Sequence, residues 1–533
     1  MPIKRRPTKS AVSVSLPPAD SPFLGFLEQD RVPSPQERLT IQEMLTEKAA
    51  YLAHLNSKVP KRRTGRKIPR QLRVELEHTR RSIKYHQALI SPWRRLPVEI
   101  MSEIFLFTLL DIGEDGPASV WWEDDRNGTL LLCKICRLWR EIAISTPALW
   151  NILSFNLHDV SRPLDWVSTW LERSRSLPLY LQVVWNDRAL PDVINPVISL
   201  FASHLHHIAG LWIDGLDIED HEIVNNIESY PRPTFPPIES PSAPILSTLG
   251  VDLPPGSNWD WISAACKTSP CLSSLTTSQF SFDWFPVANL TKLHFFDPVS
   301  IATLLQVLEQ APHLQDISVD IKGPSTTSSS GSVLVMAAVS TLEITSADDH
   351  LGPFLDQVAF PQLKDFSIHQ LTRWPDAELH SFLTRSSCAL RALDLYDIEI
   401  NETEIITTLR HKACDMLESL GVSECNPPLN LLLQHLTYDH HDREFPNPRL
   451  KTIELGDVLS EDGLVAELAE SRVAPVIELR PDVSVPDCLE RLRISFMVTP
   501  GQTHVVTHQD DWMRLSMLQQ VWPEFEVDSD NQS

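Results

Sequence analysis

The chain has 533 residues, an apolar fraction of 42% and a net charge of −24. That length predicts more than one domain, and that composition supports a large core. Residues 1–100 carry 20 basic against 9 acidic side chains, and the remainder carries 26 against 61, which argues against nucleic-acid binding by the body of the chain.

Residues 1–36 are rich in Pro and Ser around a basic cluster and read as a disordered tail, with SPFLGFLEQD (21–30) a sticky apolar island within it. Residues 37–90 carry two apolar stripes. The first runs through Leu39, Ile41, Leu45, Leu52 and Leu55, and the second through Leu72, Leu76, Thr79, Ile83, His86 and Ile90. KVPKRRTGRKIPR (58–70) interrupts them, which predicts a helical hairpin or a short coiled coil, for self-association or as a brace. The basic run at 61–67 reads as a solvated turn, with a nuclear import signal or a phosphate-binding patch as the alternatives.

In residues 91–153, Leu96 and Pro97 precede an apolar series whose Ile100, Met101, Ile104 and Phe105 fall on one helical stripe, with Pro97 suited to the first turn. A second helix is expected from about Leu130 to Ile144, carrying Leu131, Ile135, Leu138, Trp139 and Ile142, before Pro147 opens a turn holding Leu149 and Trp150. Such a small helical knot leans on a partner or a neighbouring domain.

LPVEIMSEIF (96–105), CRLWREIAISTPALW (136–150) and the spacing between them resemble an F-box. The preceding coiled segment and the phrase SPWRRLPVEI (91–100) are similar to fungal F-box families of the basidiomycete type. The acidic insertion at 109–129 is longer than a compact F-box needs, although loop insertions cost little. The resemblance implies docking to the S-phase-kinase-associated adaptor of an SCF-type cullin–RING ubiquitin ligase. The docking residues it implies are Leu96, Pro97, Ile100 and Met101, followed by Ile104, Phe105, Leu138 and Trp139.

From residue 151 the texture changes to alternating strands and helices. NILSFNL (151–157) and LPLYLQVVW (177–185) read as strands, and LDWVSTWLERS (164–174) as a helix with Leu164, Val167, Trp170 and Leu171 inward. The phrase L-x-x-L-x-Φ, with Φ apolar, then recurs from Leu246 onward. Its starts at Leu290, Leu314, Val339, Leu363, Leu390 and Leu417 lie 24, 25, 24, 27 and 27 residues apart, within the period of leucine-rich repeats. Further copies start at Leu450 and Leu489. The phrases lack the regular ladder asparagine and resemble the divergent repeats that often follow an F-box. They predict an α/β fold in which a small helical F-box precedes a degenerate leucine-rich-repeat-like solenoid, with Leu293, Ile317, Phe366, Leu393, Leu420 and Ile453 facing its core. The expected boundaries are 1–36 for the tail, 37–90 for the coiled segment and 91–153 for the box. The repeats follow over 154–515, and 516–533 is an acidic tail. The proline-dense stretch at 230–244 and the low-complexity stretch at 323–332 read as loops.

Candidate chemistry is thin. Cys133 and Cys136 have no second pair at metal-binding distance and read as buried structural thiols. His204, His206 and His207, like His435, His440 and His441, lack the spacing of a zinc protease. Asp214, Asp252, Asp316 and Asp394 recur around the strand phrases without a common motif and read as an acidic rim, suited to a basic partner. No catalytic residue, metal or cofactor is expected. The resemblance implies a non-catalytic substrate receptor whose partners are the adaptor, through it the cullin, and a protein substrate. The alternative is an interaction scaffold that delivers nothing for ubiquitination. No run of 18 apolar residues is present, so no membrane span is expected, and the N-terminus lacks a signal peptide's apolar core. Eight cysteines without framework spacing fit the cytoplasm or nucleus.

Overall fold

The computed structural model describes residues 21–27, 31–59, 68–107, 112–113, 116–117, 128–157, 163–184, 191–214, 242–253, 260–323, 333–346, 350–425, 429–438, 445–473, 487–496 and 508–529. The basic run at 61–67, most of the acidic insertion at 109–129, most of 230–244 and most of 323–332 lie outside them. The chain divides into two units, residues 1–110 with 125–150, and residues 111–124 with 151–533.

The first unit is helical. Helix α1 (Pro35–Ser57) opens on a capping box, in which Ser34 Oγ accepts from the Glu37 N–H and the Glu37 carboxylate accepts from the Ser34 N–H. It packs against α2 (Arg70–Leu89) through Ile41, Tyr85 and Leu89. The apolar island at 21–27 is part of this core, which corrects the reading of 1–36 as wholly disordered. Phe23 and Phe26 are buried edge-to-face at 5.4 Å. Tyr85 Oη donates to the Phe23 carbonyl at 2.7 Å, and Ser21 Oγ pairs with His86 Nε2 at 3.0 Å. Two phenyl rings bring enough apolar area to order the backbone that carries them.

Beyond α2, the helices are α3 (Val98–Leu106), α4 (Gly128–Ile135) and α5 (Arg137–Ser145). Pro97 is the residue before α3 rather than its first turn, and its carbonyl accepts from the Met101 N–H at 3.0 Å. The single helix expected from Leu130 to Ile144 is broken at Cys136. That residue is extended (φ −155, ψ 174), and its Sγ accepts from the Trp139 N–H at 3.4 Å as the cap of α5. Cys136 is therefore exposed and Cys133 half-buried, rather than both buried. Trp150 closes the unit, fully buried, with Nε1 donating to the Ala143 carbonyl at 2.7 Å.

The second unit is α/β. The strands along its main ladder are β1 (Ile152–Asn156), β2 (Leu179–Val184), β3 (Ile208–Asp214), β4 (Thr248–Asp252), β5 (Ser274–Thr277), β6 (Lys292–Phe295) and β7 (Asp316–Lys322). They continue as β8 (Thr341–Thr345), β9 (Asp365–Leu371), β10 (Ala392–Ile398), β11 (Ser419–Ser423), β12 (Thr452–Val458), β13 (Arg491–Phe496) and β14 (Glu526–Ser529). Each pairs in parallel with the strands next to it in sequence, in one large sheet that is not a closed barrel. Helices fill many of the connections, among them α6 (Pro163–Ser174), α7 (Pro191–Ser203), α8 (Asp260–Lys267) and α9 (Ile301–Gln310). In α6, Val167, Trp170 and Leu171 are buried as expected, whereas Leu164, at the first turn, is exposed.

One register runs through the whole sheet. Leu153, Leu181, Leu211, Leu249, Leu275, Leu293 and Ile317 stand in line. Leu342, Phe366, Leu393, Leu420, Ile453, Leu492 and Val527 extend it. All but Val527 are buried, including the six expected to face the core. Alternate residues stand on the opposite, open face of the sheet. After the open-face residue that ends the regular stretch of β9 to β12, Gln370, Asp397, Glu424 and Asp457 each adopt a positive φ between 51° and 57°. This turn returns Leu371, Ile398, Cys425 and Val458 to the core. Three ladder strands, β3, β5 and β14, were not named from sequence. β5 has Thr277 where the phrase needs an apolar residue, and β14 lies in the stretch read as an acidic tail over 516–533. Among the described residues, no helix is long and apolar enough to cross a membrane.

Candidate functional site

Two surfaces stand out, one in each unit. In the helical unit, Met101 and Phe105 are buried, and Phe105 lies 4.9 Å from the half-buried Trp139 ring. Those side chains pack inside the unit and support α3 from within. The preceding turn and the outer side of α3 point the other way, with Leu96, Val98 and Ile100 exposed at 36, 49 and 47%. Pro97 is exposed beside them, and Ile104 and Leu138 are half-buried. The eight residues singled out from sequence therefore divide into an exposed apolar edge (Leu96, Pro97, Ile100), a half-buried rim (Ile104, Leu138, Trp139) and an internal support (Met101, Phe105). Val98 belongs to the edge and was not among the eight; its place beside Pro97 was the available signal.

In the α/β unit, a groove of about 570 Å³ crosses the open face from β2 to β8. Its aromatic floor is Trp212 and Tyr180, and its polar wall includes Lys292, His294, Asp316 and Glu343. Trp212 lies flat because Gly210 and Gly250 leave it space. A Cβ on Gly210 would fall 2.6 Å from the indole, and one on Gly250 would collide with Cδ1. The indole is consequently buried although it stands on the open face. Two of the groove's carboxylates already have basic side chains beside them. Lys292 Nζ lies 3.1 Å from Asp316 Oδ2, and His369 Nε2 lies 3.5 Å from Glu343 Oε1.

A second recess of about 40 Å³ shares Trp212 and Thr276 with the groove. Asp252, the last residue of β4, lines it. This carboxylate is only 4% exposed, and its Oδ1 has no hydrogen-bond partner. Burial pushes its pKa up to about 6, opposed by the Ser278 hydroxyl and reinforced by the Asp297 charge. Asp214 lines the same recess from β3.

The four aspartates read as an acidic rim are thus not equivalent. Asp316 is ion-paired, and Asp252 is buried without a partner for Oδ1. Asp394 packs over Gly421 and accepts from Ser367 Oγ at 3.3 Å, and burial raises its pKa.

Elsewhere, Asp462, His508 and Asp511 bring one ligand atom each within 4.8 Å of one another. Every carboxylate oxygen there is already engaged. Asp462 accepts from the Asp510 and Asp511 N–H groups, and Asp511 accepts from the Ala466 N–H and pairs with His508 Nδ1. This is a clamp on α10 (Gln509–Val521) rather than a vacant ligand set. His204 stacks on His206, His207 meets both rings edge-on, and burial with the two neighbouring histidines lowers the His207 pKa. All eight cysteines are free thiols, and burial raises Cys266 and Cys414 to about 12, away from nucleophilic character.

No family model matches the chain. No curated protein matches it either. The functional reading therefore stands on the two surfaces. Sequence reasoning named Asp252 but missed Trp212 and its glycines. The available signal was a tryptophan on a strand whose own Gly210 and whose neighbour's Gly250 both lack a side chain on the same face.

Proposed function

We propose that this chain is the non-catalytic substrate-recognition subunit of an adaptor–cullin–F-box ubiquitin ligase. The helical unit would dock the adaptor and the strand ladder would hold the protein substrate. The observation that carries this reading is the apolar edge of Leu96, Val98 and Ile100, exposed on helices whose own core is complete. Among the described residues nothing covers that edge, and a partner would supply its burial. The resemblance of the box motifs supports the same reading. So does the 24-to-27-residue spacing of the strand phrases, which fits a degenerate leucine-rich-repeat-like solenoid. Cys425 takes the place of that repeat's asparagine or cysteine, with Sγ 3.7 Å from the Leu395 carbonyl. Ubiquitin chemistry would lie in the partner subunits.

The test is capture by purified adaptor, comparing wild type with Leu96→Ala combined with Pro97→Ala, after circular dichroism shows the double variant folded. Loss of two leucine-sized anchors is expected to weaken binding by about 100-fold or more. Unchanged binding in the variant, or none in the wild type, overturns the docking surface. An adaptor complex that never recruits cullin favours the scaffold instead.

A further inference from the structure

The recess beside the groove combines three properties that a fold has no reason to assemble for stability. Asp252 is buried with one oxygen unpartnered. A buried carboxylate oxygen without a hydrogen bond is costly, and natural cores rarely retain one. Asp214 adds a second acid, and among the described residues no basic side chain lines the recess. The wall is the indole of Trp212, which continues into the larger groove.

We propose that this recess binds the ammonium group of a lysine side chain, presented by a protein segment lying in the adjoining groove. The inference deepens the substrate-receptor reading and rests on it. The recess is small, about 40 Å³ against about 570 Å³ for the groove, which suits a compact ammonium better than a planar guanidinium. The ammonium brings three donors to the unpartnered Asp252 Oδ1 and its neighbours. Its aliphatic stem lies along the Trp212 face, where an indole favours both methylene packing and a nearby cation. The groove supplies room for the backbone of the segment, with its own Asp316 and Glu343 already paired.

The arrangement sets the pH dependence. The ionisable groups around Asp252 are Asp214 from β3 and Asp297 after β6, with Lys322 of β7 acting on Asp297 and His294 lining the groove from β6. Burial raises Asp252 and Asp297 alike, so both lose charge in acid before an ordinary carboxylate does. Affinity for a cation therefore rises with pH as Asp252 ionises.

The experiment uses the full chain and small probes, read by saturation-transfer NMR and calorimetry. The probes are N-acetyl-lysine N-methylamide, its uncharged norleucine counterpart, the arginine counterpart and n-butylamine. The lysine probe is expected to bind about tenfold or more tighter than norleucine, and to lose that margin in Asp252→Asn. Its affinity should also climb between about pH 5 and about pH 7.5 in the wild type. Equal binding of norleucine, an unaffected Asp252→Asn variant or a flat pH profile overturns the proposal. Butylamine binding as tightly as the lysine probe overturns the claim that a protein segment is the ligand. Should Asp252→Asn misfold, the norleucine comparison and the wild-type pH profile still decide. Probe binding with failed adaptor capture removes the receptor reading and keeps the recess. Adaptor capture without probe binding does the reverse.

Discussion

The outer edge of α3 and the core line of the strand ladder are built from the same kinds of side chain and end in opposite states. Leu96, Val98 and Ile100 remain exposed around a helix whose inner face, Met101 and Phe105, is buried. In the ladder, Leu293, Phe366, Leu393 and Leu420 are each buried between in-register neighbours from the adjacent strands. The difference lies in who supplies the contact. A strand finds its partner one repeat further along the same chain, whereas nothing among the described residues covers the α3 edge. Apolar periodicity announces a face to be buried. It does not say whether the chain or another molecule buries it.

The strongest way to break that contrast is a matched pair of truncations. Leu393→Ala should cost about 2–5 kcal/mol by leaving a cavity, read as a lower urea midpoint. Ile100→Ala should change stability by about 0.5 kcal/mol or less while weakening adaptor capture. An Ile100→Ala cost approaching that of Leu393→Ala would show that the α3 edge is internal core.

Asp252→Asn sharpens the contrast within the ladder, because it should stabilise. A carboxyl whose folded pKa is raised from 3.8 to about 6 contributes nothing unfavourable below the lower value and becomes a growing burden as pH rises through the upper one. The gain from removing it should therefore reach up to about 3 kcal/mol near pH 8 and shrink by on the order of 2 kcal/mol near pH 4.5. Melting temperatures of both proteins at the two pH values check this. A gain independent of pH would mean that the Asp252 charge is not what costs stability.

Gly250→Ala should cost about 1–3 kcal/mol, because the new methyl meets the fixed Trp212 indole. Gly421→Ala meets only the swinging carboxylate of Asp394 and should cost less, so equal costs in denaturant titrations would remove the argument for a rigid aromatic floor. The smallest effect is expected at the α5 cap. Cys136→Ser replaces a weak sulfur acceptor with a preferred capping hydroxyl and should add about 0.5 kcal/mol, measured as a small rise in melting temperature.

Much of the ladder was legible because parallel strands repeat a fixed pattern, and Leu290 to Leu417 keep it almost without interruption. β5 escaped because Thr277 is buried where the phrase expects an aliphatic group, and β14 because its Glu526 and Asp528 read as solvated charge. The break at Cys136 was hidden by a helical period that continues across it. The recess was the least legible feature. Its wall depends on Trp212 lying over a glycine 38 positions later in sequence, a relation fixed only once the register of β3 and β4 is known. For the α3 edge, sequence pattern picked out Leu96, Pro97 and Ile100 correctly as apolar. It could not separate them from Met101 and Phe105, which differ only in the direction they face.

The ladder's strict succession also governs how the chain would yield to force. Among the described residues β14 pairs only with β13, and each later rung is held by the one before it. A pull on the C-terminal end meets hydrogen bonds a strand at a time, never all at once. Where strands recur every 27 residues, as from Leu393 to Leu420, each failure releases roughly 90 Å of extended chain. A force–extension trace should show a succession of small steps whose lengths follow the spacing of the strands, the mechanical signature of a molecule that can be shortened by one rung without losing the next.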